Sequence, residues 1–209
     1  MLTLDIALSF FGIAVLLALS PGPDNLFVLM QSAMWGRSSG MAVVLGLCTG
    51  LIAHTAAVAV GLAAVLAASS SAFTIVKLLG AAYLLYLAWG AFRAPAMGTA
   101  APRTTPRLSR TSLYRRGIIM NITNPKVSLF FLAFLPQFTS ALRGSVALQI
   151  VSLGALFMLA TLLTFGVIAL FSGLAGERIQ RSARVQRWLN RLAGAVFVGL
   201  AIRLGFTSR

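Results

Sequence analysis

The chain has 209 residues, 59% of them hydrophobic and only 10% charged, with a mean hydropathy of +0.93. That leaves too little polar surface for a water-soluble domain, so the chain belongs in a bilayer. Its formal charge of +14 would suit a nucleic-acid binder, but the arginines gather between apolar segments instead of covering one surface; the expected partner is the lipid bilayer, with no nucleic acid.

The first apolar segment runs from about 4 to 31, longer than the roughly 20 residues a spanning helix needs. Residues 1–20 carry no Lys or Arg, so the segment lacks the basic n-region of a cleaved signal peptide and reads as a retained helix. Ser20-Pro21-Gly22-Pro23-Asp24-Asn25 interrupts it. A second segment, about 40–67, carries the small-xxx-small pair Gly46 and Gly50, the spacing that Gly36 and Gly40 also show, which serves close helix packing. It also holds the single cysteine, Cys48, and the single histidine, His54. Cys48 has no internal partner and reads as a small packing residue.

The third segment, about 72–92, begins near Lys77, which is placed to snorkel to an interface, and contains Tyr83, Tyr86 and Trp89 as packing and interfacial aromatics. After it come residues rich in Pro, Thr, Ala and Arg without apolar periodicity, a linker. The fourth segment, about 117–136, is interrupted by Asn121-Ile122-Thr123-Asn124-Pro125-Lys126; the fifth spans about 146–172 and the sixth about 188–206. Between the last two, Arg178, Arg181, Arg184, Arg187 and Arg191 recur every three to four residues, as on a helix lying on an anionic leaflet, although plain topology determinants explain them more simply.

The expected fold is an all-α integral membrane protein with about six transmembrane helices. They form two inverted three-helix repeats, 1–93 and 114–209, joined by a basic cytoplasmic linker at 94–113 into one membrane domain, with the first and fourth helices broken. Placing Pro23-Asp24 on Pro125-Lys126 also sets Lys77 and Gly80 on Arg191 and Gly194, and Tyr83 on Phe197. Three spans per half is odd, so the second half enters the membrane in the opposite sense. Five spans plus a re-entrant segment is the alternative. With six spans the Arg-rich connections share one side, which is cytoplasmic by the positive-inside rule, and both termini lie opposite.

Helix-breaking residues at membrane depth are tolerated where protein or a water-lined cavity pairs the freed backbone, and transporters place such half-helix ends at the substrate site. The candidate site is therefore Pro21, Gly22, Pro23, Asp24 and Asn25 from one break and Asn121, Asn124, Pro125 and Lys126 from the other. Proline suits the first helical position, and Asn or Gly the cap before it. Each restarted half-helix would offer its N-terminus to a carboxylate. Asp24 and Lys126 then put opposite charges into one cavity, pairing with each other when it is empty and with a zwitterion when it is filled. A purely structural ion pair is the competing reading of the charges, and a proline kink that of the breaks. Asp24 and His54 are the candidates for proton coupling; a neutral His bonding between helices is the simpler reading of His54.

Taken together, Pro21-Gly22-Pro23, Gly46-x-x-x-Gly50-x-x-x-His54, Lys77-Leu78-Leu79-Gly80-Ala81-Ala82-Tyr83-Leu84 and Asn121-x-x-Asn124-Pro125-Lys126 resemble the LysE/RhtB family of amino-acid exporters over nearly the whole chain. The resemblance implies a multi-pass carrier of the bacterial inner membrane that exports amino acids such as homoserine, threonine, lysine or leucine on the proton gradient, with the two breaks as its site. It implies neither an enzyme nor a cofactor, and a homo-oligomer is compatible with it. The acidic residues are Asp5, Asp24 and Glu177, and only Asp24 lies in the candidate site. A basic substrate would want a second carboxylate, so neutral amino acids or derivatives are favoured, although cation–π contacts or carbonyls can also serve a cation.

Other classes fail on residue counts. A thiol-redox protein needs two cysteines, a metal exporter several His, Cys or carboxylate ligands, and a membrane hydrolase a nucleophile–base or metal constellation. The remaining alternative is a passive channel or small structural membrane protein, whose broken helices would line a pore or shape packing.

Overall fold

Peptide groups facing lipid find no water, so apolar segments of this length pair their backbones internally as helices. The computed structural model describes residues 2–20, 22–68, 70–93, 107–172 and 183–206. Within them the chain is helical, without β-strands: α1 (Leu4–Leu19), α2 (Pro23–Trp35), α3 (Arg37–Ala68), α4 (Ser70–Arg93), α5 (Arg110–Ile122), α6 (Pro125–Leu129), α7 (Val146–Phe171) and α8 (Ala183–Phe206). After α6 the chain widens into a π-helical turn, Phe130–Phe134, tightens to a 3₁₀ turn, Leu135–Phe138, and makes a second 3₁₀ turn at Ala141–Arg143.

The first and fourth segments are broken where the prolines lie. The axes of α1 and α2 differ by 65°, and α5 meets the continuous stretch Pro125–Phe138 at 47°. Helix α3 over Arg37–Gly61 and helix α7 are long and apolar enough to cross a membrane, and each bent pair passes the same test when its two parts are taken together, as a broken span or a re-entrant loop. Helices α4 and α8 have 24 residues each, a rise of about 36 Å. Each contains an apolar stretch, Leu78–Arg93 and Asn190–Ile202.

Helix α3 packs against α7 and α4 against α8, while α5 lies on α3 and α1 on α7. Exchanging the halves converts each of these pairings into itself or into another of them, as a repeat requires. The halves thus interlock. The match ends past the breaks: α2 packs on α3 and α7, whereas the π-helical turn packs on α4.

The contact of α3 with α5 depends on glycine. A Cβ on Gly46 would run into the Tyr114 carbonyl oxygen, and one on Gly117 into that of Val43. Small residues let helix backbones approach this closely where lipid supplies no hydrophobic driving force. On the same seam the hydroxyls of Thr49 and Tyr114 are 2.9 Å apart.

Two expectations change. Ser109 caps α5, its Oγ accepting from the Ser112 N–H at 3.2 Å, so the C-terminal end of the expected 94–113 linker is helix; residues 94–106 lie outside the described residues. An apolar window cannot register this turn, since Arg115 and Arg116 stay exposed on it. The expected basic surface helix is, from Ala183 onward, the start of α8, where Arg184, Arg187 and Arg191 are exposed. Arg178 and Arg181, and the Lys77 side chain, lie outside what is described.

Candidate functional site

Each break leaves helix-terminal N–H and C=O groups that an unbroken helix would pair. At the second break Asn124 caps α6, its Oδ1 accepting from the Lys126 N–H at 3.0 Å, and Pro125, with no N–H to satisfy, takes the first helical position. The other end of the same amide crosses to the first break, where Nδ2 donates to Asp24 Oδ2 at 2.8 Å. Asn124 and Asp24 are 5% and 3% exposed, so the bond is shielded from water.

At the first break Gly22 is the N-cap of α2 and Pro23 its first residue; glycine has no side chain with which to cap, so the first turn of α2 has no side-chain cap. Asp24 follows in that turn, where a negative charge suits the positive end of the helix dipole. Asn25 reaches back to the truncated α1, its Nδ2 donating to the Ala18 carbonyl at 2.7 Å.

Lys126 crosses the other way, its ammonium donating to the carbonyls of Leu17 and Ser20, 3.2 Å each. Lys126 thus caps the C-terminal end of α1, whose last carbonyls lost their partners at the break and whose dipole favours a cation. Gly22 makes room for this, since a Cβ there would sit 3.3 Å from Nζ.

Asn121 closes the cluster. A Cβ on Gly50 would come within 2.7–3.0 Å of its side chain, so α3 and α5 nearly touch. Its carbonyl oxygen, at the end of α5, is 3.1 Å from His54 Nε2 and accepts from the Asn124 N–H at 3.1 Å. A carbonyl only accepts, so His54 carries its proton on Nε2 in this contact. Phe131 of the π-helical turn lies beside the imidazole, ring centroids 5.5 Å apart. It belongs to an aromatic cluster with Phe10, Phe130, Phe134, Phe138 and Phe157, which packs behind the second break. The spacing Gly46-x-x-x-Gly50-x-x-x-His54 is therefore one face of α3 laid along α5.

The structure brings together Gly22, Pro23, Asp24, Asn25, Asn121, Asn124, Pro125 and Lys126, with His54 at the Asn121 carbonyl; Pro21 lies outside the described residues. The expected Asp24–Lys126 ion pair is not formed among the described residues. Asn124 occupies one carboxylate oxygen of Asp24, and α1 carbonyls occupy the ammonium, because each broken helix end attracts the charge that complements it. Gln31 and Ser32 lay outside the expected site. They share the buried face of α2 with Asp24, at seven and eight residues' distance, and Gln31 Oε1 and Ser32 Oγ are buried without a hydrogen-bond partner among the described residues. That helical spacing of polar residues was visible in an otherwise apolar segment.

A family model, LysE type translocator, matches residues 15–208. The chain belongs to the LysE type translocator family. This translocator is accordingly a multi-pass membrane protein that moves amino acids or similar solutes across a membrane. It is similar to an uncharacterized membrane protein of Vibrio cholerae, 32% identical over 94% of this chain and 95% of that protein. The uncharacterized membrane protein YrhP of Bacillus subtilis is 29% identical over 96% of this chain and 98% of its own length. A third, from Pseudomonas aeruginosa, is 30% identical over 91% and 90%. No solved structure gives a significant match.

Proposed function

We propose that this translocator is a secondary active exporter of amino acids in the bacterial inner membrane, driven by the proton gradient, with neutral amino acids or derivatives such as homoserine, threonine and leucine as substrates and the paired breaks as their site. The observation that carries the reading is the buried bond from Asn124 to Asp24, which makes two helix breaks, one from each half, a single polar centre inside an apolar protein. Family membership supports the solute class. Asp24 is the one carboxylate among the site residues, which favours substrates with one positive group.

Coupling follows from the cost of a buried charge. An ionised carboxylate at membrane depth needs a positive partner, which a proton or a substrate ammonium supplies equally well, but not both at once. A proton arriving on Asp24 therefore expels the amine, and the amine expels the proton. That exchange lets a proton gradient drive export. No cofactor and no covalent chemistry take part, so the protein is not an enzyme on this reading.

The test is flux of labelled threonine, leucine and homoserine through purified protein in sealed vesicles, with and without an imposed pH gradient. Saturable flux that accelerates with the gradient is expected. A non-saturable flux indifferent to the gradient would make the protein a passive channel, and none at all would leave a structural role.

A further inference from the structure

The polar atoms left without partners at the breaks share one chemistry. Asp24 Oδ1 and Asn25 Oδ1 are both buried and have no hydrogen-bond partner among the described residues; Asn25 Oδ1 is an acceptor, and so is Asp24 Oδ1 when the carboxylate is ionised. Asp24 presents Oδ1 because Oδ2 is held by Asn124, and Asn25 presents its oxygen because its nitrogen is held by the Ala18 carbonyl. Asn121 Oδ1, on a side chain 3% exposed, is a third. A buried acceptor without a donor is costly, so a set of them calls for a donor-rich guest. A primary ammonium, with three N–H donors and a positive charge for the carboxylate, meets that demand better than any other common group.

The opposite pole of an amino acid meets fewer free groups among the described residues. Lys126, the cation of the site, uses two of its three N–H donors on the Leu17 and Ser20 carbonyls, so it offers a guest one donor, which a neutral carbonyl oxygen can take up as a carboxylate does. The first-turn N–H groups of α2, which have no side-chain cap, can also donate to a neutral carbonyl oxygen, more weakly than to a carboxylate. We propose that the site recognises its substrate through the ammonium group, with Asp24 and Asn25 as its acceptors, and that a free carboxylate is not required. The substrate class then widens to α-amino carbonyl compounds, including amides and esters of amino acids. This rests on the exporter reading for the location of the site but not for the identity of the solute.

The decisive experiment titrates purified, detergent-solubilised protein with leucine, leucinamide and N-acetylleucine, reading binding by the shift in thermal unfolding. Leucine and leucinamide are expected to bind within roughly tenfold of each other, while N-acetylleucine, which has lost the charge-assisted hydrogen bonds, binds at least roughly tenfold more weakly. Comparable binding of N-acetylleucine would overturn the ammonium reading, and loss of leucinamide binding while leucine binds would overturn the claim that a free carboxylate is not required; either leaves amino-acid export standing. Leucinamide binding without leucine binding would uphold the ammonium site and remove amino acids as the substrate. Failure of all three, repeated with the threonine series, would overturn both. Asp24→Asn, checked for monodispersity, is expected to weaken leucine and leucinamide alike; if it weakened only leucine, the ammonium assignment would be wrong. The ligand series on the unaltered protein decides the matter even where that variant fails to fold.

Discussion

Asn124 holds two half-helices with one amide, so its removal acts twice. Asn124→Ala takes away the cap of α6, worth about 1 kcal/mol, and leaves Asp24 buried without its donor, at a further cost of about 1–3 kcal/mol. The expected result is a lower midpoint of thermal unfolding in detergent together with impaired flux; an unchanged midpoint would show that the bond is not maintained. Lys126 makes a different prediction. Its substitution by Met leaves the Leu17 and Ser20 carbonyls without their donor and should destabilise the protein, whereas Lys126→Arg, which keeps charged donors, should retain most of the stability. If both variants unfolded at the same temperature as the parent, Lys126 would not be capping α1.

At the scale of the elements, the approach of α3 to α5 sets where His54 meets Asn121. A side chain at Gly117 must push against the backbone of α3, since the obstacle is the Val43 carbonyl and not a flexible tip. Gly117→Val should therefore cost about 1–3 kcal/mol through overpacking and separate His54 from the Asn121 carbonyl. Gly61→Ala serves as the control, because a Cβ there meets nothing within 4 Å. Thermal unfolding of the two variants side by side checks this, and equal stability would mean that the seam yields freely. The break itself has a chemical origin at both places: proline refuses an interior helical position and accepts the first one. The π-helical turn that follows α6 has no counterpart in α2, and it carries the phenylalanines that pack behind the second break.

For the whole molecule, α4 and α8 form one cross-half pairing, with Gly194 so close to the Phe92 ring that a Cβ would lie 2.6–2.8 Å from it. The substitutions Phe92→Cys and Gly194→Cys, in a chain with Cys48→Ala, are expected to allow cross-linking by a short bifunctional reagent in membranes; no product would mean that the halves are not paired this way. Much of this was legible in the chain. Apolar runs located the six segments, because lipid exposure demands a continuous apolar helix, and Pro21-Gly22-Pro23 and Asn124-Pro125 marked the breaks, because proline acts locally. What Lys126 binds was not legible: its partners are backbone carbonyls of α1, which carry no signature in the sequence and are orphaned only once the break exists. The start of α5 at Arg110 was hidden for a related reason, since a polar turn capped by Ser109 leaves no trace in an apolar window. The central claim, that the two breaks are one transport site, is tested most directly by amino-acid flux in vesicles through Asp24→Asn, Asn124→Ala and the double variant, at matched insertion. Residues acting as one unit give non-additive losses. Asp24→Asn alone should lower flux by roughly tenfold or more, the equivalent of one lost charge-assisted hydrogen bond, and adding Asn124→Ala should lower it little further. Undiminished flux through Asp24→Asn, or losses that simply multiply in the double variant, would contradict the account.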